Sequence, residues 1–231
     1  MNPWQRGARY WRTLRHLKPR QVGFKVWEAA TDRIEPPLSP LLHLWLGRRH
    51  AGTAEVQGAR LLPLVELLDR CSSPRHRQVL VSEFCRGEFT AAGQTARIVD
   101  PVSHLADWAP AGTSPLYRYH LHYGHDLLAT AFAARATSST QLAEIVIKRM
   151  QDWVARVRIG DPAGWRPYPI SLRMTTWPAA LTVLEQMGAL TPAEAAPLLA
   201  SVRQQLTYLR GHVEHAVDGN HLLRNFVGLL V

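Results

Sequence analysis

"QLAEIVIKRMQDWVARVRIGDP", residues 141–162, decides the fold. Leu142, Ile145, Met150, Trp153, Val154 and Val157 fall on one face at helical spacing, and the run stops at Gly160, Asp161 and Pro162. The same texture continues downstream. A second helix is predicted from about Ser171 to Met187. In "TPAEAAPLL", residues 191–199, Thr191 suits an N-cap, Pro192 the first helical position, and Glu194 the return bond of a capping box. Pro197 is expected to delay the regular helix by a turn. Leu198, Leu199, Val202, Leu206, Leu209 and Val213 then form an apolar stripe toward Gly219, which can end that helix. A last helix opens near Asn220, which can cap it. Strand-like alternation is scarce after residue 115, so this half reads as helices in antiparallel pairs joined by short turns. No fixed-period repeat is visible, and helical pairs of this kind permit a bundle or an incomplete toroid of hairpins. The fold class is mainly all-α.

Upstream the pattern is less regular. "FCRGEFTAAGQTARIVDP", residues 84–101, is short, mixed and turn-rich, as in a small hairpin or extended segment. From Arg33 to Pro63 proline and glycine punctuate the chain, including "EPPLSP", and a linker or irregular wrap is expected. Arg6, Arg9, Arg12 and Arg15 recur beside Trp11, Leu14 and Leu17, which suits a short basic amphipathic helix halted near Pro19. Residues 1–60 are therefore set apart as a basic helix and irregular wrap, and 61–231 as the helical domain.

The 231 residues, 46% of them hydrophobic, can bury a substantial core. An excess of 27 Lys and Arg over 18 Asp and Glu gives a net charge of +9, which favours a polyanion: nucleic acid, anionic lipid or acidic polysaccharide. No nucleic-acid-binding motif supports the first of these. Cys71 and Cys85 stand alone, without the companions of a metal site or disulfide scaffold, and read as buried small residues. The basic N-terminus lacks the apolar run of a secretory signal, and no stretch is apolar enough to span a bilayer. The sequence also lacks a phosphate-binding loop and a GxSxG nucleophile elbow.

Three stretches concentrate chemistry. "LYRYHLHYGHDLL", residues 116–128, gathers Tyr117, Tyr119, Tyr123, His120, His122 and His125, which suit either core packing or a sugar, whose C–H faces rings cover and whose hydroxyls polar tips meet. No acidic residue stands at metal-ligand spacing beside these histidines. "WRPYPISLRMTTW", residues 165–177, is expected to start as proline-constrained extended chain and end in helix. Its Trp165, Tyr168, Arg173 and Trp177 are either core with a solvated arginine, or a loop offering rings and a guanidinium to an anionic sugar. "GHVEHAVDGNH", residues 211–221, places His212, Glu214, His215 and His221 together, but its order is not that of HExxH and no metal site is assigned.

Together, "DWAPAGTSPLYRYHLHYGHDLL", "DWVARVRIGDPAGWRPYPISLRMTTW" and "YLRGHVEHAVDGNHLLRNFVGLLV" resemble the N-terminal domain of the heparinase II/III family of polysaccharide lyases. "LKPRQVGFKVWE" is similar to the opening of family members found beside bacterial surface-polysaccharide genes. The resemblance implies an incomplete α/α toroid, followed in the family by a β-sandwich domain. This sequence ends inside an apolar stretch without it, so a piece lacking the complete machinery is expected. It also implies β-elimination on a uronic-acid-containing polysaccharide, heparin/heparan-like or alginate-like, without a cofactor or metal. A base removes the C5 proton, the uronate carboxylate is neutralised, and an acid protonates the leaving oxygen. By that resemblance Asn220 is the carboxylate-neutralising residue and His221 assists it or acts as base. His122, Tyr123, Tyr168, Arg173 and Trp177 are expected to line the sugar cleft, and the family's catalytic tyrosine and a further histidine lie later in its chains. The sequence departs from the family pattern at His120, Gly124 and Thr176. A non-catalytic acidic-carbohydrate-binding or assembly protein is the alternative. The resemblance implies a periplasmic setting, whereas the missing signal implies a cytoplasmic one.

Overall fold

The computed structural model describes residues 19–49, 58–215 and 220–230. The expected basic helix around Arg6 to Leu17 and the stop at Gly219 lie outside them. In chain order the elements are α1 (Pro19–Arg49), α2 (Gly58–Cys71), α3 (Pro74–Arg86), β1 (Glu88–Ala91), β2 (Gln94–Arg97), α4 (Pro115–Leu121), α5 (His125–Thr137), α6 (Thr140–Arg156), α7 (Pro167–Gln186), α8 (Pro192–Gly211) and α9 (Asn220–Leu230). The fold is mainly α: an incomplete α/α toroid of helical hairpins with, among the described residues, one small β-hairpin between α3 and α4. Among the described residues no helix is long and apolar enough to cross a membrane.

Helix α7 is the hub. Nearly every side chain from Pro169 to Leu184 is buried, apolar and polar alike, so the helix is covered on every side. Helices α2, α5, α8 and α9 cover it. At its centre Trp153 of α6 meets Trp177 of α7 edge to face, 5.2 Å between ring centroids, and Trp165 lies 6.2 Å from Trp153. These rings, with Met150, Leu181, Leu184 and Leu209, form the main core. The α6 face is the expected one widened to include Ala143, Val146 and Ile147.

Local signals hold where they are strong. Thr191 accepts from the Glu194 amide while Glu194 reaches back to the Thr191 amide, and Pro192 takes the first helical position. Residues 88–97 form an antiparallel hairpin, with Thr90 opposite Thr95 and Ala92 and Gly93 at positive φ in the turn. That conformation matches the strand twist.

Prolines were misleading in three places. Pro167 and Pro169 do not extend the chain before α7; they sit in its first turn, where amides have no intrahelical partner and a missing N–H costs nothing. Pro197 lies within α8, which is already helical from Pro192. Most of the expected irregular wrap is helix: α1 runs through Pro36, Pro37 and Pro40, and α2 begins at Gly58. Proline removes backbone hydrogen bonds there, and tertiary contacts from α1 offset the loss. Asp32 pairs with Arg166, Glu35 accepts from the Tyr208 hydroxyl at 2.6 Å, and the His43 ring accepts the Ile159 amide at 2.9 Å. Cys71 and Cys85 are exposed, not buried. Cys85 follows buried Phe84, so the helical rotation of one residue turns it outward.

Candidate active site

One chain reversal and two helix starts build the site. The turn His122–Tyr123–Gly124 joins α4 to α5, Tyr168 lies in the first turn of α7, and Asn220 and His221 open α9. Tyr123 meets Tyr168 edge to face at 6.0 Å, and Tyr168 lies against the His221 ring at 4.3 Å. Asn220 is exposed at the end of this row, and Tyr168 and His221 are half-buried beside it.

His221 also has an acidic neighbour. Its Nδ1 lies 3.3 Å from both carboxylate oxygens of Glu214. Asn225, fully buried one turn after His221, fixes that carboxylate: its Nδ2 donates to Glu214 at 3.2 Å, and its Oδ1 accepts the Glu214 amide at 2.9 Å. Sequence reasoning missed this bracket. The available signal was the four-residue step from His221 to Asn225, which puts both on one helical face.

His122, Arg173 and Trp177 are not cleft-lining side chains. Each is about 1% exposed, and a side chain that water does not reach offers a sugar nothing. They hold the floor instead. The Arg173 guanidinium donates to the His122 carbonyl at 2.8 Å, to Gln205 Oε1 at 2.7 Å and to the Gly164 carbonyl, and stacks over Trp153 at 4.4 Å. His122 accepts the Trp153 indole N–H at 2.9 Å and stacks on Trp108. Tyr123 is also largely buried, at 7% exposure, and burial pushes its hydroxyl up to about 12, assisted by Tyr168. Tyr123 therefore stays a neutral phenol.

The three departures from the family pattern meet around Tyr123. Thr176 donates to the Tyr123 carbonyl at 2.8 Å, and the His120 ring lies 4.7 Å from the Tyr123 ring. Gly124 has φ +76°, and a Cβ there would lie 2.9 Å from Thr176 Oγ1 and from the Trp177 ring. Only glycine combines that backbone with that closeness. Gly124→Ala is expected to destabilise the protein by about 1–3 kcal/mol, measured by urea unfolding, through strain and the clash.

One buried imidazole makes stability depend on pH. Burial, then the Arg173 guanidinium, lowers His122 to about 3. Unfolded histidines titrate near 6.5, so below that pH the unfolded chain binds protons that the folded chain refuses. This stability is present above about pH 6.5 and is lost as pH falls toward 3. A thermal unfolding series should show the midpoint dropping between about pH 7 and 5; a flat profile would contradict it.

Among the described residues no three His, Cys, Asp or Glu side chains gather closely enough to hold a metal ion. The side chains at the site offer hydrogen bonding from the Asn220 amide and the Tyr168 hydroxyl, and an imidazole, His221.

No family model matches the chain. A heparin-sulfate lyase of Pedobacter heparinus is 31% identical over 111 residues, which cover 46% of this chain and 16% of that protein. The crystal structure of heparan sulfate lyase HepC from Pedobacter heparinus aligns with a TM-score of 0.58 and 18% identity, over 87% of this chain and 31% of that one. A HepC mutant aligns with a TM-score of 0.61 and 18% identity, over 89% of this chain and 32% of that one. At that identity the structural likeness is one of fold, and the chain spans at most about a third of the relatives it matches. In sequence the chain is similar to that heparin-sulfate lyase, and in fold it is similar to HepC.

Proposed function

We propose that this chain is the toroid part of a polysaccharide lyase that cleaves a uronic-acid-containing acidic polysaccharide by β-elimination. The observation that carries the reading is the exposed Asn220 beside His221, with the Tyr168 ring tilted against the imidazole and Glu214 behind it. Removing the C5 proton leaves negative charge that spreads onto the uronate carboxylate. A neutral amide donor aimed there stabilises the developing enolate without fixing a proton on it. Asn220 takes that role, His221 assists neutralisation or serves as base, and Glu214 positions the ring. Tyr168 and the edge of Tyr123 supply a face for the sugar. By the family resemblance, the proton donor for the leaving oxygen is expected outside the toroid. Buried His122, Arg173 and Trp177 act on substrate only through the turn and helix they hold.

The names of the relatives favour a heparin- or heparan-like substrate over an alginate-like one. The net charge of +9 fits either polyanion. The test is to incubate the full-length protein that carries this toroid with heparin, heparan sulfate and alginate and follow the ultraviolet absorbance of the conjugated unsaturated uronate. Product from a heparin-like polymer is expected. Binding without product from any polymer would overturn the lyase reading in favour of a non-catalytic carbohydrate-binding protein. Glu214→Ala should lower turnover by about tenfold to a hundredfold with KM little changed, because a misaimed His221 still leaves the sugar bound.

A further inference from the structure

Beside the Tyr168–His221 pair a second concavity opens between α1, the start of α7 and the segment that follows α8. The two share walls. Pro167 of this pocket precedes Tyr168, and Glu214, which faces His221, lines the pocket as well. A chain of sugars leaving the first site on this side therefore enters the second.

The lining has the chemistry of a subsite. Trp27 is 57% exposed at the pocket wall, an unusual display for so large an apolar ring. The carboxylates that face the pocket are matched by neighbours. Glu28 accepts from Lys25 at 2.7 Å, Asp32 is gripped by both guanidinium nitrogens of Arg166, and Glu214 is bracketed by Asn225 and His221. Arg210, in the last turn of α8, is exposed on the pocket rim and has no hydrogen-bond or ion-pair partner among the described residues. The Arg210 guanidinium is thus left to meet an anionic ligand beside an open aromatic face.

We infer that this pocket is an additional subsite for an acidic sugar unit, with the Trp27 indole covering the sugar's C–H face and the Arg210 guanidinium gripping its carboxylate or sulfate. The inference rests on the reading of the chain as a binder of acidic polysaccharide, and names residues of α1 and α8 that the reaction itself does not use.

Titration calorimetry with heparin-derived disaccharide and tetrasaccharide tests it. The unaltered protein should bind the tetrasaccharide more tightly than the disaccharide. Trp27→Ala and Arg210→Ala should each weaken tetrasaccharide binding by about tenfold and leave disaccharide binding unchanged. Both side chains are exposed, so the variants should keep the thermal midpoint of the parent. Tetrasaccharide affinity unchanged in both variants would overturn the subsite, as would a protein that binds neither oligosaccharide. The lyase reading is judged separately: weakened variants in a protein that forms no unsaturated product keep the subsite and remove the lyase, whereas product with unweakened variants does the reverse.

Discussion

Arg173→Met is expected to lower the free energy of unfolding by about 3 kcal/mol or more, because it leaves buried acceptors with neither protein nor water to bond. Methionine keeps most of the volume, so the loss reports on hydrogen bonding and not on a cavity. Three acceptors are at stake: the carbonyls of His122 and Gly164, and Gln205 Oε1. Burial lowers the arginine's pKa and Asp161 opposes it, so removing the cation also removes a desolvation cost. Two fixed backbone carbonyls outweigh that relief, since neither can turn toward solvent. Urea unfolding measures the difference, and a change under about 1 kcal/mol would show that another group or water takes over the bonds. Because Arg173 ties α7 to the His122–Gly124 turn, the variant should also loosen the Tyr123 ring against Tyr168.

Asn220→Ala should cut elimination by about a hundredfold to a thousandfold, the scale seen when one oriented oxyanion donor is lost. Stability should fall by no more than about 2 kcal/mol, the upper cost of losing a helix-start polar residue. The side chain is exposed, so no core packing goes with it. The effect should fall on kcat more than on KM, because the amide is needed most when charge develops on the carboxylate. Near-normal turnover in a folded Asn220→Ala protein would remove this residue from the chemistry.

Some of this architecture was legible because it is written in short-range terms. The Thr191–Glu194 capping box joins atoms three residues apart, and the Ala92–Gly93 turn closes a hairpin over ten residues. The helical period of α6 depends only on its own backbone. The motifs around Tyr123, Tyr168 and His221 were legible as neighbours through the family resemblance, and the structure does bring those rings together.

What the sequence by itself determined is therefore the helical class, the caps and turns, and the stretches from which the site is assembled. Tertiary structure decided which of those residues face solvent. Arg173 and His122 meet across 51 positions, and the Tyr208 hydroxyl meets Glu35 across 173. Such contacts turned a candidate sugar-gripping arginine into a buried strut, and kept α1 helical through three prolines. The physical reason is common to both cases. The preference of a polar side chain or a proline is small and local, whereas the bonds and packing offered by distant segments add up to more, and no pattern within the local chain reports them.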